Sequence, residues 1–157
     1  MTKANKRKRN AEIFIKHISM WQSNYKGYFM QNNKQCFCNG FVAIILNDFI
    51  EDIEKAEENN RLDLEKEVFN RFYKYEILEN IDIKTVEKVK GKSNRIFLKI
   101  SDTYFKKLFV DKVKGILGTD IKAYTKIDED SFMKDKVLFL ENKNGQAVIL
   151  CNRNPFK

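Results

Sequence analysis

Between Ser101 and Asn152 the period of the apolar positions changes once, and the rest of the chain is read around that change. Phe105, Leu108, Phe109, Val113, Ile116 and Leu117 recur at helical spacing. Ser101-Asp102 offers an N-cap ahead of them and Gly118 a C′ glycine behind them, so the pattern predicts one helix between these limits. Apolar runs of strand length follow at 121–127, 137–141 and 147–151, with the hairpin signal Asn144-Gly145 between the last two.

Upstream, 11–22 is expected to be a helix with Phe14, His17, Ile18 and Trp21 on one face. His17 is expected to pack at the edge of the core, because no partner of catalytic or ligating type stands at motif spacing. Residues 25–31 read as a strand and Asn32-Asn33-Lys34 as a turn. Residues 35–47 read as a strand interrupted at Asn39-Gly40, either by a bulge or by a hairpin. Its run from Phe41 to Leu46 is apolar on both faces, which predicts cover on both sides. A short helix is expected over 48–60, a helix or a helix running into a strand over 62–78, and an alternating or weakly helical stretch over 81–90. A strand at 95–100 is expected to feed directly into the Ser101 helix. The resulting fold class is α+β: two helix–β-meander units forming a curved antiparallel sheet with helices on one side, plus a helical acidic insert at about 48–92. A basic arm over 1–10 precedes a single domain over 11–157.

Charge sharpens this picture. The chain of 157 residues carries a net +8, yet 48–67 holds nine acidic and three basic residues, a local −6 that leaves +14 for the remainder. A basic body points to a polyanionic partner, nucleic acid first among them, bound through phosphates. Lys, Asn and Ile are abundant throughout, so base composition of the gene is a competing source of the charge. The arm with Arg7, Lys8 and Arg9 reads either as a phosphate-binding extension or as a solvated, frayed terminus. No apolar run approaches the roughly 18 residues that span a bilayer, and the basic N-terminus lacks the apolar core of a secretory signal. Cys36, Cys38 and Cys151 make no disulfide framework, so a reduced, cytoplasmic setting is expected. Cys36 and Cys38 invite a zinc reading, but a closed site takes about four ligands and His17 is the only histidine. They are expected instead to pack as small hydrophobes. No cofactor is expected.

Catalytic signatures are sparse. There is no Gly-rich phosphate loop, and one histidine leaves no Ser/His/Asp set. Glu141-Asn142-Lys143 resembles the acidic-x-Lys element of a metal-dependent nuclease fold, with Asp120, Asp128 and Asp130 as candidate upstream Mg²⁺ ligands. A hairpin tip flanked by Glu and Lys explains the same residues without chemistry. A different alternative is a protein-binding inhibitor or interaction module of a phage or plasmid, its acidic segment occupying another protein's nucleic-acid groove.

The order of 10–47 and 101–152, each a helix then strands with Asn-rich turns, resembles a single domain of the DNA sliding clamps, the ring-shaped processivity factors of replication. The stretch from Lys99 through the helix, Gly118 and the Ile121, Val137 and Ala147 strands resembles that family's second unit, and Asn39 to Leu46 the strand pair closing the first. The resemblance implies a non-enzymatic DNA-associated accessory protein whose two helices face duplex DNA without base readout. It assigns phosphate contacts to Lys106, Lys107, Lys112 and Lys114 on the second helix and Lys16 on the first, with Arg7, Lys8 and Arg9 as an extension. Clamp rings contain six such domains, so a chain with room for one implies a homo-oligomer or a fold shared without the ring.

Overall fold

The computed structural model describes residues 2–17, 26–57 and 63–156. Helix α1 (Lys3–Lys16) opens on Thr2, whose side-chain oxygen accepts the Asn5 N–H at 3.1 Å, and buries Ala11, Phe14 and Ile15. It starts at Lys3, not at Ala11, so the basic segment is the first half of the helix. The Thr2 cap and the apolar anchors of the second half carry the charged turns with them. His17 closes this helix and is exposed, contrary to the core-edge expectation, and 18–25, with Ile18 and Trp21, lie outside the described residues.

Strands β1 (Phe29–Gln31), β2 (Lys34–Cys38) and β3 (Val42–Leu46) follow. Asn32 and Asn33 both take positive φ, 53° and 63°, the twist that a two-residue hairpin needs. At Asn39-Gly40 the side chain of Asn39 accepts the N–H groups of Phe41 and Val42, which turns the chain without leaving those donors unpaired. Every residue of β3 is buried. Val42, Ile44 and Leu46 face one core, and Ala43 and Ile45 face the other. The two-sided cover expected from the sequence is therefore present over 42–46, while Phe41 at the head of the expected run is exposed.

Residues 48–57 form no helix. The backbone of Tyr28 donates to Glu54 O at 2.9 Å and accepts from Ala56 N at 2.8 Å, so this stretch runs along the free edge beside β1. Helical structure begins only beyond it, as a π-helical turn over Glu65–Phe69 continued by α2 (Asn70–Tyr73). β4 (Glu79–Ile81) and β5 (Glu87–Lys90) are separated by a turn at Asp82, whose carboxylate accepts from Lys84 N. β6 (Ile96–Ile100) does not feed a helix at Ser101. Ser101, at φ 53°, turns the chain into β7 (Thr103–Lys106), and α3 (Lys107–Leu117) starts only where β7 ends. Phe105 pairs with Leu98 across the hairpin and is fully buried, so its fit to the helical stripe is coincidental. A short apolar run matches strand and helix periods alike until tertiary pairing selects one.

α3 ends where the glycine predicts, at Gly118 with φ 97°, whose N–H returns to Lys114 O at 2.8 Å. β8 (Lys122–Ile127), β9 (Lys136–Asn142) and β10 (Gly145–Leu150) follow. The hairpin loop is Lys143-Asn144, and Gly145 is the first paired residue of β10. A Cβ there would stand 2.3 Å from Ile45 O, so glycine is what lets β10 close on β3.

The molecule is mixed α+β. A seven-stranded antiparallel sheet in the order β1-β2-β3-β10-β9-β8-β4 is joined by a small sheet, β5-β6-β7. α1 and α3 lie on one face over Ile44, Leu46, Leu138, Leu140, Ala147 and Ile149. The opposite face is covered by Leu64, Phe69 and Phe72, which meet Ile45, Phe139 and Val148, so the helical part of the segment after β3 lies across the sheet from α1 and α3. Cys36 and Cys38 pack with this second core as expected. No helix among the described residues is long and apolar enough to cross a membrane.

Candidate nucleic-acid interface

α1 and α3 pack antiparallel, with Asn10 against Gly115 and Arg7 against Ile116 and Gly118. A Cβ on Gly115 would lie 2.2 Å from the Asn10 side chain, and that close approach makes the two helices one layer. α1 carries six basic residues and one acidic, α3 three basic and one acidic, so this layer holds a net +7 of the chain's +8.

The expected contact residues separate into distinct environments. Arg9 and Lys16 are exposed on α1. Lys8 is half-buried, with Glu12 one turn on at 3.9 Å. Lys107 is tied to Asp111 at 2.5 Å. Lys112 and Lys114 are half-buried and have no ion-pair partner among the described residues. Arg7 does not extend the surface. It turns inward, its Nε donating to Ile116 O at 2.7 Å and its terminal nitrogens to Asp48 at 2.5 and 3.0 Å. Lys106 is the N-cap residue of α3, at the opposite end of that helix from Lys114, with Nζ 4.9 Å from the Phe109 ring centre. Burial there, reinforced by the neighbouring Arg95 charge, lowers its proton affinity.

Between the start of α1 and the end of α3 runs a groove of about 490 Å³, where Lys3, Lys6 and Lys114 meet Lys143 of the β9–β10 loop. Lys143 is remote in sequence from the other three, and only the closing of the hairpin against the helix pair places it there.

Of the residues of the nuclease alternative, Lys143 lines the groove above, and Asn142, next to Glu141, donates to Thr119 O, next to Asp120, at 2.8 Å. Asp128 accepts from Arg71 at 2.9 Å, and Glu141 accepts from the Tyr124 hydroxyl at 3.3 Å. Burial, seconded by the Glu141 charge, pushes the Tyr124 phenol well above its ordinary range. Among the described residues no group of three or more His, Cys, Asp or Glu side chains is placed to hold a metal ion. In comparison with known proteins, no family model, no curated protein and no solved structure matches the chain.

Proposed function

We propose that this protein is a non-enzymatic, DNA-associated accessory factor that rests the α1–α3 layer on duplex phosphates without reading bases. The observation that carries this reading is the concentration of net charge: the two packed helices hold +7 of +8. A charged layer on rigid helices neutralises phosphates and releases counterions whatever the base sequence. The sliding-clamp-like form of the reading is supported by the order of elements. α1 precedes β1-β2-β3, α3 precedes β8-β9-β10, and the two triplets meet at β3 and β10, as two helix–meander units side by side would. Arg7 belongs to the frame of this surface, and Lys3, Lys6 and Lys143 join Lys112 and Lys114 as its contacts.

The test is fluorescence anisotropy of a labelled duplex across a salt series. Phosphate binding makes log K fall linearly with log salt, by about 0.9 per phosphate neutralised. Absence of binding at low salt would return the charge to mere composition. Sedimentation at high concentration addresses the ring: a persistent monomer counts against an autonomous clamp.

A further inference from the structure

At the opposite end of α3 from the lysine groove lies a cleft of about 700 Å³, bounded by Phe41, Phe109, Arg95, Lys106, Leu150 and Arg153. Its chemistry differs from that of the helical layer. Phe41 is 54% exposed at the mouth of β3, and its ring lies 6.4 Å from that of Phe109 at an interplanar angle of 18°. An aromatic ring this open, held nearly parallel to a second ring, presents a platform that the fold does not use to fill its core.

The carboxylates in the cleft are already engaged. Asp128 pairs with Arg71, and Asp135 takes Arg153 and, at 2.9 Å, the Ser131 hydroxyl. Arg95 and Lys106 have no ion-pair partner among the described residues, and their charges act on each other across the cleft wall. A pair of uncompensated cations beside an open aromatic ring complements a ligand that is anionic at one end and flat at the other. The cleft also continues. Arg95, Asn152 and Asn154 line a second depression of about 310 Å³ together with Lys92 and Ser93. Cations and amides therefore extend along a track longer than one ligand unit.

We infer that this cleft binds single-stranded nucleic acid, with a base on Phe41 and the backbone passing Lys106, Arg95 and Lys92. The continuation past Arg95 selects a strand over a mononucleotide, and the open ring selects unpaired bases over a duplex, whose bases are stacked on one another. The site shares no residue with the groove of Lys3, Lys6, Lys114 and Lys143, so it stands whether or not the helical layer binds duplex.

The experiment is anisotropy with a labelled oligothymidylate of about twelve nucleotides, within the usual site sizes for such grooves. It is run on wild type, Phe41→Ala, Phe41→Trp, Arg95→Gln and the Lys112→Ala/Lys114→Ala pair. Phe41 and Arg95 are exposed, and circular dichroism checks that each variant keeps its fold. Phe41→Ala is expected to weaken strand binding on the order of tenfold and Arg95→Gln to reduce the salt slope. Phe41→Trp is expected to bind and to show tryptophan quenching, and the loss caused by Phe41→Ala is expected to persist in the Lys112→Ala/Lys114→Ala background. Wild-type affinity in both Phe41→Ala and Arg95→Gln overturns the inference. So does absence of strand binding, or a free thymidine nucleotide that binds as tightly as the strand. Duplex affinity of the lysine pair reports separately on the helical layer.

Discussion

The guanidinium of Arg7 holds both carboxylate oxygens of Asp48, at 2.5 and 3.0 Å, across 41 residues of sequence, while its Nε reaches the carbonyl of Ile116. One side chain thereby joins the first helix, the last turn of α3 and the start of the acidic segment. Arg7 is mostly buried, its side chain 15% exposed, whereas that of Asp48 is 40% exposed. Arg7→Ala is expected to cost about 1–3 kcal/mol, because it strands the Ile116 carbonyl as well as breaking the pair. Asp48→Ala is expected to cost about 1 kcal/mol or less, as for other half-exposed ion pairs. Urea unfolding of both single variants and the double variant separates the pair from the Ile116 bond. Equal losses in the two singles would contradict this division.

The lysines of the helical layer lead to a different measurement. Lys112→Ala and Lys114→Ala should each lower the salt slope of duplex binding by about 0.9 for every phosphate that the variant no longer neutralises, with little change in unfolding midpoint. Asp48→Ala should leave the slope nearly intact, since that carboxylate serves Arg7 and not the outer surface.

A side chain at Gly115 is expected to displace that of Asn10. A Cβ there meets Asn10 at 2.2 Å, and Asn10 is itself held by its bond to Lys6 O at 2.9 Å. Gly115→Ala should lower stability by about 1 kcal/mol or less, because Asn10 must give up its exposed bond to Lys6 O while alanine is the better helix former. Asn10→Ala in the same chain should restore part of the loss. Denaturant midpoints of the single and double variants test this, and a stabilised Gly115→Ala would show that the Asn10 side chain swings aside without loss.

Cys36 contributes one alkaline pH dependence that can be isolated. Burial pushes its thiol from an ordinary 9.0 up to about 12, and its S–H lies 3.6 Å from Lys34 O. The folded state therefore keeps the proton that the unfolded chain loses above about pH 9. The thiol's contribution to stability is full below that value and declines as pH rises toward 12, by at most about 1.4 kcal/mol per pH unit. Subtracting the stability curve of Cys36→Ala from that of wild type isolates this slope. At about pH 8, just below the ordinary thiol range, a thiol reagent should leave Cys36 untouched until urea unfolds the chain.

Local chemistry makes part of the fold legible in the sequence. Asn32-Asn33 and Asn39-Gly40 announce turns because few residues accept positive φ or satisfy their own turn donors. The unbroken apolar run of β3 announces cover on both faces because each side chain needs a core. Gly118 ends α3 for the same backbone reason. The stretch from Ser101 to Lys106 misleads because its apolar spacing suits a helix, and only pairing of Phe105 with Leu98 makes it a strand. The acidic stretch after Asp48 misleads in the same direction, because its apolar Phe49, Ile50 and Ile53 suit a short helix whereas the backbone edge at Tyr28 draws it extended.

The candidate site divides in the same way. The sequence by itself determined that Lys106, Lys107, Lys112 and Lys114, with Arg7, Lys8, Arg9 and Lys16, supply cations, since charge is a property of residue type. Only the tertiary structure decided which of them face outward. Arg7 turns in because Asp48 and Ile116 offer it better hydrogen bonds than water does. Lys143 joins Lys3, Lys6 and Lys114 because the β9–β10 hairpin closes against the helix pair, and Lys106 goes with Phe41 and Arg95 because β7 ends at the cleft. Contacts between residues so distant in sequence leave no local period to read. They exist only once packing has selected a single register for every strand.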